Sequence, residues 1–380
     1  MASIILSNIK LASWKNDSHG SIAIESGRIR EIGKATGPGD KTVDLSGATL
    51  IPGWVDIHNH GAVGVDVNDA GVDGLLAIAS FLARNGVTSW VPTLVPDSDE
   101  SYRRVVGEID RLMEFQEREP VAQAVGVHYE GVFANEKMCG ALRPRFFKKF
   151  TGKELDELPR LKRGVHMTTF APEVEGGIEL AAELSRQGWI ASIGHTRADL
   201  ATLDAAFAAG ARHMTHFFNA MTGLHHRDVG VAGWGLANHD VTFDIIADGI
   251  HVDPQMLEFA CRAKSMEKVT LISDSVAPTG LGDGEFEIWG EKVSVSGGRT
   301  CNERGSIAGS VITMHDAFLR MLSLGFSRDD AAKMASTNPA RLLGLDDRGS
   351  IDVGKRADVV ALDVEGVIKF VMIGGEVVDV

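Results

Sequence analysis

The chain has 380 residues, 44% hydrophobic and 24% charged, which gives enough apolar material for a large core and excludes a disordered or fibrous chain. With 38 Lys+Arg against 52 Asp+Glu the formal net charge is −14, which argues against nucleic acid or an anionic membrane surface as a partner. Its 3 cysteines, Cys139, Cys261 and Cys301, are scattered and form no CxxC pair, so any metal must be held by carboxylates and by members of the set of 13 histidines. No apolar run reaches the roughly 18 residues needed to span a bilayer, and residues 1–10 lack the charged start and cleavage site of a secretory signal. The expected location is the cytoplasm.

From Ser3 to Val55 short alternating strands are separated by Gly, Asn and Asp: Ile4–Leu6, Ser21–Ile24, Arg28–Ile32 and Lys41–Leu45. The C-terminus repeats the style in Ala357–Leu362 and in Val367–Val380, where Gly374-Gly375 reads as a hairpin turn. Each terminal half-sheet has one apolar face to cover. The two should pack together as one small β-sandwich domain over 1–53 and 349–380, rather than stand as unrelated hairpins.

Between Trp54 and Leu345 apolar runs alternate with amphipathic helices, and residues 54–348 read as a second domain. The strands expected are Trp54–His60, Thr88–Val95, Val125–Val132, Gly164–Ala171, Ile190–Thr196, His213–Met221, Val241–His251 and Val269–Ser275. Helices are expected at Val72–Asn85, Glu100–Arg118, Gly177–Gln187, Ala198–Ala209, Gln255–Lys264, Val311–Leu324 and Arg328–Leu343, with Thr151 and Glu154 spaced as a capping box. Strands that are apolar throughout suit a parallel sheet buried on both faces, and eight βα units suit an α/β fold of the (β/α)8 TIM-barrel type.

In such a barrel the C-terminal strand ends form one rim, where chemistry gathers. Those ends carry His58 and His60, then Glu130, His195, His216, His251 and Asp274. His58 and His60 are two apart in a strand, so both imidazoles face the barrel interior. Buried imidazoles on one face need hydrogen-bond partners or a cation, and the cluster points to a metal site. Trp90, Trp189, Trp234, Met214 and Met221 read as core or pocket wall, and His128, His166 and His213 as structural.

The run Ile51-Pro52-Gly53-Trp54-Val55-Asp56-Ile57-His58-Asn59-His60 resembles the first-strand signature of the amidohydrolase superfamily. His128-Tyr129-Glu130-Gly131, Gly194-His195-Thr196, His216-Phe217-Phe218-Asn219-Ala220-Met221, Asp248-Gly249-Ile250-His251, Ser273-Asp274 and Ile307-Ala308-Gly309-Ser310 follow in the order of the N-acetylglucosamine-6-phosphate deacetylases. The resemblance implies that Glu130, His195 and His216 hold one divalent ion and that His58 and His60 hold a second, with Asp274 touching the metals or their water. One or two ions are implied, Zn or Fe by ligand type. Asp274 would be the catalytic group, taking a proton from water and passing it to the departing amine. Ala141, Asn219, Ala220, Arg227, His251, Ile307, Ala308 and Gly309 would contact an amino-sugar phosphate, with Arg227 reaching across a homodimer interface. The implied reaction releases acetate from N-acetyl-D-glucosamine 6-phosphate.

Two departures bear on the substrate. Glu130-Gly131 is followed by Val132 where relatives carry Pro, and Leu142 stands where they carry a His that assists carbonyl polarisation. Leucine donates no hydrogen bond, so the second metal supplies that role, Arg143 replaces the donor, or the substrate is another N-acyl compound: a different N-acetylhexosamine phosphate, an N-acyl amino acid or a cyclic amide. A catalytically silent relative would have lost ligands, and every expected ligand is present.

Overall fold

The computed structural model describes residues 3–13, 19–34 and 41–380. Eight strands run parallel, each beside the next in chain order: Trp54–Asn59, Val87–Leu94, Gly126–Phe133, Val165–Phe170, Ile190–Ile193, His213–Met214, Thr242–Ile246 and Val269–Ile272. The last returns to the first through a parallel bridge from Asn59 to Ser275, and the His60 N–H donates to the Ser275 carbonyl at 2.8 Å. That closes the barrel. Asn59 reinforces the seam with its side-chain amide, donating to Ser275 Oγ at 2.7 Å and to Asp56 Oδ2 at 3.2 Å. Burial raises the Asp56 carboxyl above its usual range despite bonds from Ser273 and Asn59.

Apolar strand residues such as Trp54, Trp90, Val127 and Phe243 are fully buried between barrel and helices. Inside the barrel a polar layer underlies the rim: His128 Nε2 lies 2.7 Å from Thr169 Oγ1, which lies 2.7 Å from Thr215 Oγ1, with Ser192 Oγ 2.5 Å beyond. The Thr169, Thr215 and Ser192 hydroxyls therefore partner one another, as a dry interior favours.

Four expected strands end early. The fifth stops at Ile193, the sixth at Met214, the seventh at Ile246 and the eighth at Ile272. His195, His216, Phe218 and Ala220 have φ of 47°, 33°, 76° and 49°, left-handed values that no strand can continue. The final helix is also interrupted, with a π-helical turn at Lys333–Thr337 between Arg328–Ala332 and Asn338–Leu342. Thr151 and Glu154 do pair, but the Thr151 hydroxyl donates to Glu154 at 2.6 Å instead of capping, and the helix there is the single turn Glu154–Glu157.

Two elements escape sequence patterning. The helix Gly230–Ala237 carries three glycines, which disfavour helix. Packing requires at least two of them: a Cβ on Gly235 would sit 2.6 Å from Met214 Sδ, and one on Gly230 2.1 Å from the Gly223 carbonyl oxygen. The second is a three-stranded antiparallel sheet, Gly284–Ile288, Glu291–Ser296 and Arg299–Asn302, inserted after the eighth barrel strand.

The chain ends share a second sheet, in the order Glu376–Val378, Ile368–Ile373, Val359–Leu362, Thr49–Pro52, Ser3–Leu11, Gly20–Glu25, Arg28–Gly33, with Lys41–Asp44 parallel to Ser3–Leu11. Antiparallel pairing of Thr49–Pro52 with Val359–Leu362 joins the two ends by hydrogen bonds as well as by packing. An irregularity between Leu6 and Ile9 divides the first strand, one half pairing with Lys41–Asp44 and the other with Thr49–Pro52. The sheet encloses its own core, which includes Leu6, Ile22, Ile24, Leu50, Val359 and Met372.

Candidate metal centre

Six side chains converge at the C-terminal rim, all of them buried. His58 and His60 leave the first strand on its inner face, with their Nε2 atoms 3.0 Å apart. Glu130 leaves the third strand. His195, His216 and Asp274 follow strands five, six and eight, and all three have positive φ, 47°, 33° and 49°. Such backbone is strained for a residue with a side chain and persists where its surroundings over-determine it. Here it turns each ligand atom inward.

The atoms form two groups, His58, His60 and Asp274, and Glu130, His195 and His216, each with ligand atoms within 4.8 Å of one another. Glu130 connects them. Its Oε1 lies 2.9 Å from His195 Nε2 and 3.0 Å from His216 Nε2, while its Oε2 lies 3.2 Å from His60 Nε2. Asp274 Oδ1 lies 3.4 Å from His58 Nε2 and 3.3 Å from His60 Nε2.

The donor chemistry fits divalent cations. His60 Nδ1 donates to the Thr93 carbonyl at 3.2 Å and His195 Nδ1 to the Met138 carbonyl at 2.7 Å, which leaves each Nε2 with its lone pair facing inward. His195 and His216 bring their Nε2 atoms within 3.0 Å of each other. Burial works to lower the imidazoles of His60 and His216, yet the Asp274 and Glu130 carboxylates lift His60 to about 10, and Glu130 lifts His216 to about 9. Burial likewise works to raise the two carboxyls. The imidazoles overcome it, holding Glu130 well below the carboxylate range and Asp274 below it. The cluster therefore demands buried positive charge, which protons or metal ions can meet.

Residues beneath the rim orient these ligands. Asp244 accepts the His216 backbone N–H and pairs with His213 Nε2 at 3.0 Å. His128 packs edge-on against His58 at 4.8 Å, and burial holds its pKa well below the usual value, so the ring is neutral. His166 lies outside the rim and accepts the Leu161 N–H at 3.0 Å.

Above the cluster opens a cavity of about 290 Å³. His60, Glu130, His195, His216 and Asp274 form its floor, and Ala141, Asn219, Ala220, His251, Ile307 and Gly309 its walls. His251 is held by Asp248, whose Oδ2 lies 2.6 Å from its Nδ1. Two expected contacts are placed elsewhere. Ala308 is buried behind the wall, its N–H donating to Thr300 Oγ1 at 3.0 Å. Arg227 sits on an exposed turn closed by a bridge between His225 and Asp228, outside the cavity lining of a single chain.

Leu142 is buried in the cavity wall, packed so closely that a Cβ on Gly131 would lie 2.2 Å from its Cδ1. Arg143 supplies no replacement donor to the cavity. Its guanidinium binds Asp97 Oδ2 at 2.8 Å and the Pro96 carbonyl at 3.1 Å. Sequence reasoning missed Trp289 and Ser306, which also line the cavity. Trp289 had one signal, its place before Gly290 between two alternating segments.

The amidohydrolase family profile matches residues 49–378, spanning the rim cluster and four of the eight strands of the terminal sheet. The chain belongs to the amidohydrolase family. This amidohydrolase is 37% identical over 317 residues to an N-acetylgalactosamine-6-phosphate deacetylase of Escherichia coli O157:H7, a match covering 83% of each chain. It is 35% identical over 350 residues to an N-acetylglucosamine-6-phosphate deacetylase of Bacillus subtilis (strain 168), covering 90% of this chain and 88% of that one. Among solved structures, the N-acetylglucosamine-6-phosphate deacetylase of Pasteurella multocida superposes with a TM-score of 0.90 at 25% identity, over 99% of both chains. A mutant of the Mycobacterium smegmatis deacetylase, solved in complex with N-acetyl-D-glucosamine-6-phosphate, superposes at 0.86 with 29% identity, over 100% of this chain and 99% of that one.

Proposed function

We propose that this amidohydrolase hydrolyses the acetamide of N-acetyl-D-glucosamine 6-phosphate, giving glucosamine 6-phosphate and acetate. The observation that carries the reading is a pair of three-residue groups, one holding Asp274 and the other Glu130, linked by the Glu130–His60 contact on the floor of an open cavity. Relatives at 35% and 37% identity that deacetylate hexosamine phosphates support the substrate class.

Glu130, His195 and His216 would hold one ion, and His58, His60 and Asp274 a second; zinc and iron both suit imidazole and carboxylate donors. A divalent cation in such a site acidifies water and polarises a carbonyl. The chain's own residues do the rest. Asp274, held ionised by the neighbouring imidazoles, takes one proton from the attacking water as oxygen bonds to the acyl carbon. It returns that proton to the sugar nitrogen as the C–N bond breaks, giving the amine and acetic acid, whose remaining proton passes to the amine or to solvent to leave acetate. His251, fixed by Asp248, and the Asn219-Ala220 backbone would receive the sugar phosphate. Arg227 would reach the phosphate of a neighbouring subunit's substrate in a cytoplasmic homodimer, its planar fork suited to two charge-assisted bonds. Among the described residues no helix is long and apolar enough to cross a membrane.

The galacto epimer is the second reading, favoured by the 37% identical relative named for it. Acetate release from N-acetylglucosamine and N-acetylgalactosamine, each with and without a 6-phosphate, tests both. Turnover of the phosphorylated gluco substrate is expected to exceed that of its unphosphorylated form by at least tenfold in kcat/KM. A higher kcat/KM for the galacto phosphate would replace the first reading by the second, and no acetate from any of the four would overturn both.

A further inference from the structure

In the inserted three-stranded sheet, Ile288 pairs directly with Glu291, leaving Trp289-Gly290 as a two-residue loop. Their φ angles are 54° and 77°. Two positive φ values mark a type I′ turn, for which Asn-Gly is the favoured pair, because a bulky side chain in the left-handed region crowds its own backbone. Tryptophan is thus a poor choice for the turn itself. The hairpin has other anchors, since Ile288 and Val293 are buried against Val276 and Ala308 while Trp289 is only half-buried at the edge of that cluster.

Trp289 reaches somewhere the turn does not need it. Its ring meets the His60 ring edge-on, with centroids 5.3 Å apart and planes at 77°. It lines the cavity above the rim ligands and also a neighbouring cleft lined by Arg143, Arg145 and Arg304, with Leu142 shared by both. A strained position occupied by a large aromatic at a cavity wall is backbone strain held for a functional purpose. Rings and apolar side chains forming the wall of a ligand site fix how a bound molecule lies, while a few polar groups set its orientation.

We propose that Trp289 is a substrate-contacting, specificity-determining residue: its ring is the wall against which a bound N-acylated hexosamine phosphate packs. The inference rests on the deacetylase reading above for the identity of that substrate. The hairpin serves to carry this ring over the rim, and the turn accepts an unfavourable residue to do so.

Trp289→Asn and Trp289→Phe test it, with kcat and KM on N-acetylglucosamine 6-phosphate, metal content per chain and the thermal unfolding midpoint measured for both variants and the parent. The Asn variant gains the favoured turn pair and loses the ring. Its kcat/KM is expected to fall at least tenfold, mainly through KM, with metal content unchanged and the midpoint unchanged or raised. The Phe variant keeps the ring and is expected to retain at least a third of the parent's kcat/KM. Any of four results overturns the proposal: an Asn variant within twofold of the parent, metal lost together with activity, a midpoint lowered by more than about 5 °C, or a Phe variant as impaired as Asn. A parent without turnover on any phosphorylated hexosamine sinks the deacetylase reading separately, and the Asn midpoint then decides whether the indole holds the fold or only the wall.

Discussion

The two ends of the cavity are built differently. At the floor, six candidate ligands from the ends of five strands are buried, and several are tied by second partners: His60 to Thr93, His195 to Met138, and His216 through its backbone to Asp244. At the mouth the lining comes from loops, from a hairpin tip at Trp289, and, across a proposed subunit boundary, from an exposed turn bearing Arg227. These second partners hold His60, His195 and the His216 backbone in place, as bond-making requires. Changes at the mouth are therefore expected to alter which molecule is held more than what is done to it. Leu142 sits where these two ends meet.

The sharpest way to break this division is to remove the ions. Dialysis against a chelator is expected to abolish acetate release, and added zinc or iron to restore it; substantial activity in metal-free protein would show that the floor works through its side chains alone. Glu130→Gln touches both ligand groups and should lower metal content more than a change at either His58 or His195, which elemental analysis can rank. Asp274→Asn comes next. It should lower kcat by about 10² to 10⁴ fold at unchanged KM, the range of general acid–base catalysis, and a near-parental kcat would move the proton transfer elsewhere. At the mouth, Arg227→Ala should lower kcat/KM for the phosphorylated sugar by about 10 to 100 fold, equivalent to about 1.4 to 2.7 kcal/mol, and leave the unphosphorylated sugar unaffected. An equal loss on both would assign Arg227 to the fold. The same variant at low protein concentration, mixed with Asp274→Asn, tests the shared site: partial recovery of activity is expected only if the residue crosses between subunits.

The smallest effect concerns neither end. Burial pulls His166 down to about 4 from a usual 6.5, and its Nε2 accepts the Leu161 N–H. The unfolded chain binds this proton first as pH falls, so the stability that His166 contributes is complete near neutrality and is lost as pH drops from about 6.5 to about 4. His166→Gln should flatten that dependence by about 1–2 kcal/mol, a figure reduced for the ring's partial exposure. Urea midpoints at pH 7 and pH 4.5 measure it; parallel curves would show that other groups carry the acid sensitivity.

The barrel was legible because parallel strands buried on both faces read as apolar runs, and Trp54–Asn59 and Val87–Leu94 lie within a residue of the expected limits. The floor was legible because carboxylates and imidazoles at strand ends are rare enough to stand out together. Expected strand ends ran past the real ones at His195, His216 and Asp274, where the left-handed backbone is set by tertiary contacts and leaves no periodic trace. The Gly230–Ala237 helix was hidden by glycines that its neighbours demand. Trp289 was hidden because a turn position favouring Asn is filled by a residue chosen for another reason. Arg227 could be named only from the family resemblance, and a single chain leaves it on the surface.

Pairing of Thr49–Pro52 with Val359–Leu362, fixed further by the Gly53 N–H on the Asp358 carbonyl, makes the whole barrel an insertion between two neighbouring strands. In polymer terms the barrel is a long loop whose ends are clamped at adjacent points, and the sheet supplies the closure entropy that the first and eighth strands would otherwise need to overcome to meet. The clamp cannot form until the last segment of the chain has left the ribosome. A nascent chain that ends before Val359 therefore carries Thr49–Pro52 with one edge unpaired, and the two ends of the barrel stay unclamped until the C-terminal strands are added.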